Sequence, residues 1–212
     1  MRLLGYLVAY LIIGFARFIT AVRGNWRDEA PRDEQTIYFA NHTSNGDFIL
    51  LWAVLPPRLR WKTRPVAAAD YWLTSPVRNY IGRKVINAVL IDRRPEAREQ
   101  DPVEQMTEAL DGGASLIIFP EGRRNDTGDT LLPFKTGIYH VARKRPGLRF
   151  VPVWIDNLNR ALPRGEVIPI PYICTCTFGA AIRLEEGEDK SSFLTRAQDA
   201  VLALAPETTN GS

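Results

Sequence analysis

TIYFANHTSNGDFILLWAVL, residues 36–55, carries a strand, a polar turn and an apolar helix in direct succession. Thr36 to Ala40 is a short β-branched and aromatic run, the pattern of a buried strand. Asn41 to Gly46 is a Ser/Asn/Gly turn, and Asp47 to Leu55 reads as a helix stopped by Pro56-Pro57. The alternation then continues in both directions. Pro65–Ala69, Val85–Ile91, Ser115–Phe119, Phe150–Ile155 and Ile173–Phe178 read as further strands. Helices are expected from Asp101 as N-cap and Pro102 as first residue to Gly112-Gly113, over Thr136–Lys144 and over Ser191–Leu204. Strands separated by helices predict an α/β domain with a mixed or mostly parallel sheet flanked by helices. No internal repeat or low-complexity tract interrupts it.

Outside that frame the chain divides simply. Residues 1–23 are expected to form a membrane-associating helix, 24–35 a charged linker around Pro31, 36–205 the α/β domain and 206–212 a frayed tail. Leu3 to Ala16 carries no charge, and apolar character resumes after Arg17 as far as Val22. A helix of about twenty residues covers about 30 Å, one hydrocarbon core. Arg17, Arg23 and Arg27 would then lie near the headgroups. A buried core helix is the alternative; apolarity on every side and the arginine flank favour the membrane.

Composition narrows the function classes. With 212 residues, 45% hydrophobic and 24% charged, the chain is long and apolar enough for a core without disulfides or a structural metal. A net charge of +3 does not argue for nucleic acid, and no basic-aromatic recognition module is present. Two cysteines, Cys174 and Cys176, exclude a disulfide scaffold and suit a reducing compartment; alternating on a strand, they read as core residues. Two histidines leave few ligands for zinc, and His140 has no acid at a telling spacing. Asp126 and Asp129 echo a calcium loop that lacks its distal ligands. Arg58, Arg60, Lys62 and Arg64 alternate with Leu59, Trp61 and Thr63, so an extended segment would gather four cations on one face. That face suits either anionic headgroups and a phosphorylated donor or plain solvent at a sheet edge. Trp61, Tyr71, Trp72 and Tyr80 nearby favour a membrane-facing surface.

Three strand ends carry chemistry. After the first, the turn can fold Asp47 back onto His42, so that the carboxylate orients the imidazole and the other ring nitrogen accepts a proton. An acid that merely caps a helix beside a satisfied polar histidine fits the same spacing. After the Ser115 strand come Glu121, Gly122, Arg123 and Arg124, where carboxyl ends of α/β strands form ligand sites and an arginine can fork onto phosphate. Asp92-Arg93 ends a third strand in the same way, and Val151 to Ile155 reads as the end of another, where Pro152, unsuited to a central strand, is tolerable.

In this order the segments resemble the glycerolipid acyltransferase family, which includes the 1-acyl-sn-glycerol-3-phosphate acyltransferases. The family's four blocks are matched by His42 and Asp47 in NHTSNGD, by Leu90-Ile91-Asp92-Arg93, by FPEGRRN from Phe119, and by Val151-Pro152-Val153. Arg123 stands where the family usually has Thr, Asn125 where it has Ser, and Leu90 where it has Phe. The resemblance implies His42 as base and Asp47 as its orienter, with Glu121, Gly122 and Arg124, helped by Arg93, holding the acceptor and its phosphate. It implies acyl transfer from acyl-CoA or acyl carrier protein to a lysophospholipid, foremost the sn-2 hydroxyl of lysophosphatidic acid. This would take place at the cytoplasmic face of a membrane, with neither metal nor organic cofactor. The rival readings are the same chemistry on a lyso-aminolipid or lysophosphatidylethanolamine, and a silent membrane-bound lipid-binding module.

Overall fold

In the computed structural model, residues 3–28, 30–94, 96, 100–156 and 173–206 are described. The tail expected from residue 206 therefore lies, beyond Pro206, outside the described residues. Seven strands form one sheet: β1 (Arg23–Trp26), β2 (Thr36–Ala40), β3 (Thr63–Ala68), β4 (Val89–Ile91), β5 (Ser115–Ile118), β6 (Arg149–Asp156) and β7 (Thr175–Phe178), in the order β1-β7-β6-β2-β5-β3-β4. From β6 to β4 every neighbouring pair is parallel, whereas β7 runs antiparallel to β6 and β1 parallel to β7. The sheet is mixed and mostly parallel, as the alternation of elements requires. β1 starts at Arg23, the last residue of the segment read as helix, runs on into the segment read as a linker, and pairs with β7 from Arg23–Thr175 to Trp26–Phe178.

Two apolar layers cover the sheet. β2 is buried throughout, and its alternate side chains enter opposite layers. Tyr38 and Ala40 join one layer with α1 (Leu3–Thr20) and α2 (Asp47–Val54). Ile37 and Phe39 join the other with α6 (Pro102–Asp111), α7 (Gly137–Lys144) and α8 (Lys190–Leu202). Asp101 caps α6 as expected, accepting from the backbone N–H of Val103 at 2.6 Å and Glu104 at 3.3 Å. Cys174 and Cys176 are both fully buried thiols.

Three local expectations need correction. The apolar run from Val85 does not open a strand: Ile81–Val85 is a π-helical turn, Asn87 takes a positive φ of 50°, and β4 starts only at Val89. Apolar runs this short do not by themselves separate a buried helix from a buried strand. Pro152 sits well inside the interior strand β6 rather than ending it. Its carbonyl accepts from Gly179 N–H beyond the end of β7, so its missing donor falls where the β6–β7 ladder has already stopped.

The third correction concerns the alternating cations. Pro57–Arg60 (α3) is a helical turn opened by its proline, so the four charges do not share a face. Arg60 is 3% exposed, and its guanidinium donates to the carbonyls of Trp52, Ala53 and Leu55 at 2.8–2.9 Å. It satisfies the unpaired C-terminal carbonyls of α2 and complements that helix end electrostatically. Lys62 pairs with Asp33 and Arg64 donates to Asn87 O, leaving β3 interior between β5 and β4. Arg60→Ala is accordingly expected to cost about 2–4 kcal/mol, because three buried carbonyls lose a charged donor. A denaturant midpoint within error of wild type would contradict that capping role.

Candidate active site

The parallel strands end at a common edge, and the sequence motifs leave from it: His42 after β2, Glu121 after β5, Arg93 after β4. Asn41 extends β2 past its last pair. Its amide accepts from Ile155 N–H at 2.7 Å and donates to Ile155 O at 3.0 Å, fixing the start of the turn to β6. The turn then folds back and α2 opens with Asp47 as its first residue.

His42 Nδ1 lies 2.8 Å from Asp47 Oδ2. The same oxygen accepts from the backbone N–H of Thr43 and of Ser44, each at 2.8 Å. Asp47 is completely buried, while the His42 side chain keeps 20% of its surface. Facing an acceptor-only carboxylate, Nδ1 carries the proton, so Nε2 is the basic nitrogen. The imidazole also stacks on Phe119, ring centroids 4.3 Å apart and 20° from coplanar, which fixes its plane. Asp47 Oδ1 is buried without a hydrogen-bond donor among the described residues.

Glu121 faces inward. It is 2% exposed, and its two oxygens accept from His42 N–H at 2.6 Å and Leu132 N–H at 2.9 Å. Burial pushes its carboxyl above the usual range, opposed by those two N–H donors. Asn125 N–H donates to His42 O at 2.6 Å, so both peptide groups of His42 are tied to the turn after β5. Glu121 therefore positions His42, with one oxygen turned to the His42 amide and the other to that of Leu132.

Gly122 has φ +70°, where a side chain is strained, and a Cβ there would fall 2.7 Å from Lys135 Cδ and Cε and 2.9 Å from Nζ. The lysine stem thus lies across the glycine, an approach the sequence reading missed because Lys135 follows in a later loop. Arg124 is exposed on the same turn with no ion pair among the described residues, whereas Arg123 pairs with Asp126 at 3.2 Å. Arg93 stands beyond β5 and β3 from His42 and is held by Asp70, Nε to Oδ1 at 3.1 Å and Nη2 to Oδ2 at 2.5 Å. That pair holds the Asp70 carboxyl below its ordinary range.

Such an arrangement accepts a proton from a bound nucleophile and needs no covalent protein intermediate. The thiols do not compete: burial pushes Cys174 up to about 11, helped by Asp156 and Asp47, and raises Cys176 likewise. The described residues hold no cluster of His, Cys, Asp and Glu fit for a metal.

A histidine hydrogen-bonded to a buried acid, at the carboxyl edge of a mostly parallel sheet, is a pairing suited to general-base chemistry on an α/β scaffold. The family model described as Acyltransferase matches residues 22–156, and the chain belongs to that family. It is 29% identical over 157 residues to the 1-acyl-sn-glycerol-3-phosphate acyltransferase of Haemophilus influenzae, covering 65% of this chain and 58% of that protein. It is 31% identical over 147 residues to the enzyme of the same name from Escherichia coli K12, covering 62% and 53%. The chain thus spans little more than half the length of these curated relatives. In fold it is similar to the crystal structure of the 1-acyl-sn-glycerophosphate (LPA) acyltransferase, PlsC, from Thermotoga maritima. The TM-score is 0.75 at 19% identity, over 100% of this chain and 86% of that one.

Proposed function

We propose that the protein transfers a fatty acyl group from acyl-CoA or acyl carrier protein to the sn-2 hydroxyl of 1-acyl-sn-glycerol-3-phosphate at a membrane surface. The observation that carries this reading is the His42–Asp47 pair, oriented from behind by a fully buried carboxylate. Nε2 of His42 takes the proton of the acceptor hydroxyl as its oxygen attacks the thioester carbonyl. Asp47 stabilises the imidazolium that forms. Collapse of the tetrahedral intermediate breaks the C–S bond, the imidazolium proton passes to the leaving thiolate, and ester and free thiol depart. Arg124 and Lys135, both exposed on or over the Glu121–Arg124 turn, supply positive charge for the acceptor phosphate, with Arg93 in support.

The membrane part of the reading rests on α1. Gly5, Ala9, Ile13 and Thr20 are buried, and the helix packs on α2 and on the Ile81–Val85 turn. Leu3, Leu4, Leu7, Leu11, Phe15 and Phe18 are 57–87% exposed and form one apolar face. Arg17 donates to Ala53 O at the end of α2, at 2.7 Å. A helix fastened lengthwise to an α/β domain lies on the bilayer with its free face inward rather than crossing it. The domain would then occupy the cytoplasmic side.

Thiol release from both thioester donors, measured across lysolipid acceptors, tests the reading. Turnover is expected with 1-acyl-sn-glycerol-3-phosphate and at least ~10-fold less with acceptors lacking a free phosphate, if a charge-assisted contact contributes its usual ~1.5–3 kcal/mol. Release that is independent of acceptor would point to a thioesterase instead.

A further inference from the structure

A second apolar surface stands beside the site. β3 ends at the sheet edge and runs into α4 (Ala69–Trp72) and α5 (Pro76–Tyr80). Tyr71, Leu73, Val77 and Tyr80 are exposed there, Val77 by 68%, and α5 has no buried residue at all. Short helices draw their stability from a buried face, and this one has none in the folded chain. Local contacts hold it. Pro76 opens it, Ser75 Oγ accepts from Arg78 N–H at 3.3 Å, and the Arg78 guanidinium lies 4.5 Å from the Tyr71 ring centroid.

The surface is nonetheless fixed to the catalytic helix. Trp72 packs edge-on to Phe48 of α2, centroids 5.8 Å apart, and closes on Gly82, where a Cβ would fall 3.2 Å from its ring. Its rim is cationic: Arg78, Arg83 and Lys84 are exposed and have no carboxylate partner among the described residues. On its far side the Ile81–Val85 turn meets α1, where Gly5 lies close under the Lys84 carbonyl. Aromatic and aliphatic side chains ringed by cations are the composition of an interfacial lipid contact.

We propose that α4 and α5 form a second membrane contact, seated on an anionic bilayer next to the acceptor-binding edge. This rests on the membrane reading of α1 and adds to it a separate surface. One contact anchors the chain, and the other turns the site toward the lipid that supplies its acceptor. Net attraction to anionic headgroups and apolar insertion act on the same few residues.

The test uses the full chain with α1 intact. Val77→Cys takes an environment-sensitive fluorophore selectively, because Cys174 and Cys176 are buried; Ser191→Cys on α8 is the control. A blue shift at position 77 on phosphatidylglycerol vesicles, weaker on phosphatidylcholine and absent at position 191, is the expected result. It needs no catalysis, so it stays readable if the acyl-transfer reading fails. In parallel, Leu73→Glu with Val77→Glu should lower activity on vesicle-borne acceptor by ~10-fold or more, with activity on dispersed acceptor within about twofold. No shift at position 77 on vesicles that bind the protein would overturn the proposal. So would equal activity changes on the two acceptor forms, including no change on either.

Discussion

Replacing His42 by alanine is expected to lower turnover by about 10²–10⁴ while the melting transition stays near that of the wild type, since a positioned general base contributes on that scale. The side chain is part-exposed, and its main structural ties run through its peptide N–H and C=O, to Glu121 and Asn125, which alanine keeps. Asp47→Asn acts on the same nitrogen from behind. Because the oxygen facing Nδ1 also accepts from the Thr43 and Ser44 N–H groups, the asparagine keeps its carbonyl oxygen there, and the hydrogen bond from Nδ1 weakens to one between neutral groups. The asparagine also loses the negative charge that stabilises the imidazolium, so its turnover should fall by a comparable factor. Steady-state rates with the chemical step limiting decide the matter. Near wild-type turnover in His42→Ala would remove the base from the mechanism, whatever the fold.

How much of this was legible in the text of the chain depends on the range of each contact. His42 and Asp47 are separated by one turn, so their pairing follows from local chain geometry, and the strand before them reads directly from its composition. Glu121 is another matter. It sits in a recognisable motif, but nothing in the motif says that both oxygens face inward to the His42 and Leu132 amides. Lys135 reaches Gly122 only because a loop returns after β5, with Lys135 N–H donating to Pro120 O at 2.8 Å. Asp70 meets Arg93 because β3 and β4 end side by side in parallel register, Ala68 opposite Ile91. The reading of residues 58–64 failed for a related reason. Alternation alone does not distinguish an extended run from a helical turn, and here Pro56-Pro57 and the open carbonyls of α2 decided between them. Contacts made within a turn were readable; those made by the sheet's topology were not.

Topology also ranks the arginines, and that ranking is testable. Arg123 is paired with Asp126 and Arg93 with Asp70, whereas Arg124 has no such pair among the described residues. A phosphate entering the edge meets Arg124 without displacing a carboxylate, and the Lys135 ammonium stands over the same turn. Arg124→Ala is therefore expected to lower kcat/KM on 1-acyl-sn-glycerol-3-phosphate by ~10–150-fold, the equivalent of a charge-assisted hydrogen bond of about 1.5–3 kcal/mol. Arg93→Ala should cost less, because removing that guanidinium also relieves the acceptor of the competition between Asp70 and phosphate for one cation. Arg124→Lys should recover only part of the loss, since an ammonium does not fork onto two oxygens. The decisive comparison is with a matched acceptor that lacks phosphate, on which Arg124→Ala should change little. Equal losses on both acceptors would make Arg124 a structural support of the turn after β5. The phosphate would then have to be bound by Arg93 and Lys135, and acceptor selectivity would be decided on the β4 side of the edge.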